Sequence, residues 1–146
     1  MSISSTNYTD WKQVHATQEL TTPGGTTVSI DTGMVDLVLA LWREGYATLQ
    51  SCQDLGSGIF GGGFLFPPER RARYAAFWHG FAWLKMPATD LERLMLLAEP
   101  IVPGNGWEAN IPILPPEGIV SFGNLRYPAR QTPELIELIE GDSEGA

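Results

Sequence analysis

Residues 28–54 constrain the fold more than any other stretch. Thr26, Thr27, Val28 and Ile30 make a β-branched run that predicts a strand. A helix should follow, because Met34, Val35, Leu37, Val38, Leu39, Leu41 and Trp42 leave only a thin polar edge of Asp36, Arg43 and Glu44. A helix apolar on most of its sides belongs at the centre of a core. Asp31 or Thr32 is placed to cap its start, and Gly45 is placed to end it in a left-handed turn. From Tyr46 to Cys52 the chain alternates, with Ala47, Leu49 and Ser51 on one face and Tyr46, Thr48, Gln50 and Cys52 on the other. This second strand ends in Ser51-Cys52-Gln53-Asp54, which sets the chain's single cysteine among polar residues where the backbone leaves a sheet.

The rest of the chain supplies two related units. Leu84-Lys85-Met86-Pro87-Ala88 precedes a helix from Thr89, and Leu125-Arg126-Tyr127-Pro128-Ala129 precedes a helix from Thr132. Thr89 with Glu92 has the capping-box spacing, and Pro133 suits a first helical turn. Segments 107–114 and 119–122 read as further strands, with Pro112 at an edge or bulge. Between the Cys52 strand and the first unit lie a Gly-rich loop with Phe60, Phe64 and Phe66, then a Pro67-Pro68 helix start. Tyr74, Phe77, Trp78 and Phe81 follow at helical spacing, and Gly80 is a stop.

This order predicts one α+β domain over residues 1–146, with a ferredoxin-like, open, mainly antiparallel sheet and helices on one face. Residues 1–24 read as an N-terminal extension, 55–80 as a Gly/aromatic-rich insertion, and 141–146 as a disordered acidic tail.

Charge narrows the partners. The formal net charge is -8, and five of the acids (Glu134, Glu137, Glu140, Asp142, Glu144) lie after residue 130 with no Lys or Arg among them. There is no basic stripe of the kind that displaces counterions from nucleic acid, and no broad acidic face of the kind that mimics DNA. No stretch approaches the ~20 apolar residues of a membrane span. The polar start Ser2-Ile3-Ser4-Ser5-Thr6-Asn7 lacks a secretory leader's pattern. One cysteine excludes an intrachain disulfide, so a cytoplasmic location is expected.

The candidate chemistry centres on Cys52. A working thiolate needs a base or positive field, and His79 is the candidate base, with Asp54 or Gln53 as helper. A packed, inert Cys52 is the competing reading, since free cysteines are often buried. His15, His79, Cys52 and Asp54 include metal-ligand types but show no zinc-ligand spacing, so neither a metal nor a cofactor is expected. Gly56-Ser57-Gly58-Ile59-Phe60-Gly61 fits the dinucleotide fingerprint literally but lacks the helix that must begin within it. Arg70, Arg71 and Arg73 read as the wet side of a helix whose aromatic side is buried.

Residues 36–54, with Leu41-Trp42, Gly45, Thr48 and Ser51-Cys52-Gln53, resemble a pattern in small uncharacterised proteins of actinobacteria and their phages. The resemblance implies a compact α+β protein of phage or mobile-element origin, and it assigns no catalytic residue. The expected function is therefore non-enzymatic binding, as a phage accessory or anti-defence factor that engages a host protein or small ligand. The expected surface is Ser51, Cys52, Gln53 and Asp54 with Phe60, Phe64 and Trp78, and a homodimer through the aromatic arm is compatible with it. A Cys52-dependent enzyme is the alternative.

Overall fold

In the computed structural model, which describes residues 15–56, 68–112 and 120–144, the two repeated units lie side by side at the centre of a four-stranded sheet. Strand Phe81–Pro87 pairs antiparallel with strand Phe122–Pro128, Leu84 facing Leu125 at the middle of the register. After each Pro the next Ala donates its N–H across the sheet, Ala88 to the Ser121 carbonyl at 2.9 Å and Ala129 to the Gly80 carbonyl at 2.7 Å. Proline has no N–H to continue a ladder. These two bonds therefore close the strand ends and turn the chain into the helices.

In chain order the strands are β1 (Thr17–Thr21), β2 (Thr27–Asp31), β3 (Gln50–Cys52), β4 (Phe81–Pro87), β5 (Glu108–Asn110) and β6 (Phe122–Pro128). The helices are α1 (Val35–Arg43), α2 (Pro68–Phe77), α3 (Ala88–Ala98) and α4 (Thr132–Glu144). The main sheet runs β3-β4-β6-β5 and is antiparallel throughout, while β1 and β2 form a separate hairpin. The protein is thus an α+β fold with an open antiparallel sheet.

Strand period places one side of the sheet in the core. Ala82, Leu84 and Met86 of β4 and Leu125 and Tyr127 of β6 are buried there against Leu37 and Leu41 of α1, Leu91 and Leu94 of α3, and Leu135 and Ile139 of α4. The opposite side carries Trp83 and Arg126, and α2 packs on it through Ala75, Tyr74 and Trp78. Three helices therefore share one face, and the helix of the inserted segment takes the other.

Several details differ from the sequence reading. β2 was expected in the main sheet but pairs with β1, which lies in the stretch read as an extension. Helix α4 continues to Glu144, through residues read as tail. Thr89 makes no capping bond, and α3 begins one residue earlier behind Pro87. Phe60 and Phe64 lie outside the described residues.

Candidate functional site

The end of β2 organises the region around Cys52. Asp31 is the last residue of β2 and precedes a 3-10 turn at Thr32–Met34, yet its carboxylate makes no cap bond to that turn. Its Oδ2 instead accepts from the backbone N–H of Gln53 at 2.9 Å and lies 3.1 Å from Nδ1 of His15. The hairpin makes this possible: Thr17 pairs with Asp31, and the Thr32 N–H donates to the Ala16 carbonyl at 2.8 Å, which folds His15 back onto the strand end. Both side chains are mostly covered, 12% exposed for His15 and 17% for Asp31.

Gln53 holds the same turn a second way. Its Oε1 accepts from the Gly33 N–H at 2.7 Å. A Cβ on Gly33 would sit 2.6 Å from that oxygen, so a larger residue there would push the Gln53 amide aside. Gln53 thus clamps the β2–α1 turn to the end of β3. It also reaches a groove of ≈ 670 Å³ between α1 and α4, whose lining includes Leu39, Arg43, Thr132 and Ile136.

Cys52 pairs with Trp83, which in turn faces Arg126, so all three lie on the side of the sheet away from the main core. The residue is nonetheless only 9% exposed. Its Sγ donates to the Asp54 carbonyl at 3.3 Å. Burial is the main force that pushes the thiol from 9.0 up to about 12; the Asp31 and Asp54 carboxylates push the same way, and the Asp54 backbone only partly opposes them. Activation of a cysteine requires the opposite shift. Ser51 points to the core side, opposite Leu84, and its Oγ is buried without a partner.

Asp54 and His79 do meet, at 3.8 Å between Oδ2 and Nδ1, but His79 is 78% exposed. The same Oδ2 accepts from the Gly80 N–H at 3.2 Å, and the Gly56 N–H donates to the Trp78 carbonyl at 3.1 Å. These contacts latch the exit of β3 to the turn after α2. The thiol proton goes to a carbonyl oxygen, so His79 is built into the latch and not into a thiol–imidazole pair.

Trp78 is half-buried in the α2 patch, with the Arg126 guanidinium 4.8 Å from its ring centroid. Phe77 and Phe81 both meet it edge-on, at 4.8 and 5.5 Å between centroids. Phe77, at the end of α2, is 69% exposed.

The sequence reading set His15 and Cys52 aside as ligands on their spacing, and it missed Asp31 as their partner. His15 Nδ1 or Nε2, an Asp31 carboxylate oxygen and Cys52 Sγ lie within 4.8 Å of one another. The signal was the Thr21-Thr22-Pro23-Gly24-Gly25 turn. As the turn of a β1–β2 hairpin, it brings residue 15 back to residue 31. No protein-family model, curated protein or solved structure matches the chain.

Proposed function

We propose that this protein works by binding another protein, and that the contact surface is the aromatic end of α2 beside the Asp54–His79 latch. Phe77 carries the reading. A phenylalanine that is 69% exposed leaves a large apolar side chain in water, while its ring rests edge-on against Trp78, which Phe81 backs in turn. Aromatic side chains presented on a rigid support are characteristic of interface anchors. The protonated thiol of Cys52 supports binding over cysteine catalysis. Among the described residues no helix is long and apolar enough to cross a membrane.

The resemblance of residues 36–54 to phage-associated proteins supports an accessory, anti-defence role against a host protein, with a second copy of the chain as the other partner to consider. A single cysteine kept as a thiol is compatible with the cytoplasm. A small ligand in the groove between α1 and α4 is the second reading, favoured by the position of Gln53 on its wall.

Phe77→Ala tests the first reading. Exposed as it is, the side chain should contribute less than about 0.5 kcal/mol to folding, whereas an anchor typically costs at least about 2 kcal/mol of affinity, or roughly thirtyfold. Sedimentation across a concentration series reads self-association, and capture from host lysate reads a foreign partner. An unchanged profile in both, with an unchanged melting temperature, would leave Phe77 a bystander and refute the surface.

A further inference from the structure

We propose that His15, Asp31 and Cys52 form a binding site for one divalent cation of the zinc type, which clips the β1–β2 hairpin to the end of β3. The residues come from three separate places: the residue leading into β1, the last residue of β2 and the last residue of β3. They offer an imidazole nitrogen, a carboxylate oxygen and a sulfur, all within 4.8 Å of one another. Nitrogen and oxygen ligands about 2.0 Å from a tetrahedral ion lie about 3.3 Å apart, and His15 Nδ1 and Asp31 Oδ2 are 3.1 Å apart. The edge of a coordination tetrahedron is therefore nearly in place.

The surroundings fit the same ion. The Gln53 N–H holds Asp31 Oδ2 from behind, the kind of outer hydrogen bond that orients a ligating carboxylate. The other nitrogen of the His15 ring, Nε2, is buried without a hydrogen-bond partner. A neutral imidazole carries one proton and one lone pair, so a ring that gives Nδ1 to the ion at the Asp31 edge keeps its proton on Nε2. Thiolate with imidazole and carboxylate selects zinc over magnesium or calcium, which prefer oxygen alone.

On binding, a metal–sulfur bond forms and the thiol proton leaves to solvent, with no change of oxidation state. Three protein ligands leave one tetrahedral position for water. Because the ligands tie a hairpin to a three-residue edge strand, the ion's mechanical effect is to add a staple between two sheets already joined by the Asp31–Gln53 bond and by hairpin residues in the shared core.

The test uses the full chain, stripped with a chelator and titrated with cobalt(II), then zinc(II). One equivalent of cobalt should bind with a near-ultraviolet thiolate-to-cobalt charge-transfer band, and zinc should displace it. Cys52→Ser should abolish that band, while Asp31→Asn and His15→Gln each weaken affinity at least about tenfold. A variant that fails to fold is replaced by a wild-type readout, release of about one proton per zinc bound near pH 8. A folded wild type that binds no cobalt overturns the site, as does cobalt bound without the thiolate band or with equal affinity in Asp31→Asn and His15→Gln. Partner capture by Phe77 is read separately, so either proposal can fail without the other.

Discussion

Replacing Cys52 with Ala should change how stability responds to alkali, and the size of the effect follows from the thiol's surroundings. Burial, reinforced by Asp31 and Asp54, raises the thiol from 9.0 to about 12. A group raised on folding stabilises the native state fully below its unfolded pKa and loses that contribution as pH climbs through its folded value. The window is therefore pH 9.0 to about 12. At pH 8 almost nothing is lost. At about pH 10.5, one and a half units into the window, the wild type should have lost about 2 kcal/mol to this group. Tyr127 and Tyr46, also raised chiefly by burial, titrate in both proteins and cancel from the comparison. The packing cost of the missing sulfur is likewise the same at both pH values. Urea unfolding of wild type and Cys52→Ala, in chelator, at the two pH values should thus show the gap between them closing by about 2 kcal/mol. In the native state at pH 8 the thiol should also label roughly a thousandfold more slowly than free cysteine on ionisation alone. A gap constant to within about 0.5 kcal/mol, together with labelling at the free-cysteine rate, would mean that the sulfur meets water and that the account of this region is wrong.

Three other substitutions probe the frame around the site. Gly56→Ala should destabilise by about 1–3 kcal/mol in urea melts, because its Cβ would meet the Ala75 carbonyl and come within 2.6 Å of His79 Cα, backbone atoms that cannot rotate away. Gln131→Ala should cost about 1–3 kcal/mol, since Gln131 is 3% exposed and accepts from the Trp107 indole at 2.6 Å, which the change would strand, while the Ile101 carbonyl keeps its bond from Asn105 at 3.0 Å. A melting temperature unchanged in this variant would mean that water takes the Trp107 indole N–H. Trp78→Ala should lower the melting temperature, by the equivalent of about 2–3 kcal/mol, because Trp83 and Arg126 pack against it; stability equal to that of Phe77→Ala would show that the α2 patch is not packed.

Much of the frame was legible because local and tertiary demands agree there. Gly45 ends α1 with φ at 86°, a value that favours glycine, and the helix it closes is buried through Leu37, Val38 and Leu41. The repeated Leu–basic–apolar–Pro–Ala segments are two βα units on one sheet. What stayed hidden lacks a hydrophobic period. β1 is exposed at four of its five positions and β5 at all three, so alternation had nothing to mark. The strand expected from Tyr46 shrank to Gln50–Cys52 because other groups take residues 46–48. The Tyr46 N–H closes α1 on the Leu41 carbonyl, the Ala47 N–H goes to Asp90, and Thr48 accepts from the Trp42 indole. Asp90 is thereby spent on a neighbouring segment, and capping statistics for Thr89 and Glu92 could not foresee the Ser121 carbonyl that takes the first N–H of α3.

The site shows the same division more sharply. Alternation correctly sent Ser51 and Cys52 to opposite faces of the sheet. Alternation alone does not decide whether a thiol on that face is packed and inert or wet and reactive. Side-chain direction is fixed within a strand, whereas the layer lying over a face is set by distant chain. Here the hairpin end brings His15 and Asp31, and the inserted helix brings Trp78 and the latch to Asp54. A sheet face that would otherwise meet solvent is closed over at one corner, and closure changes the chemistry. The same sulfur that would ionise near 9.0 in water is held as a thiol beside a carboxylate. Beside a carboxylate and an imidazole, such a thiol becomes a better ligand for a dication than a nucleophile for a substrate, because a dication offsets the negative charge that suppresses the thiolate. Residue 52 supplies the atom; residues 15 and 31, sixteen positions apart and brought together by an exposed hairpin, determine its use.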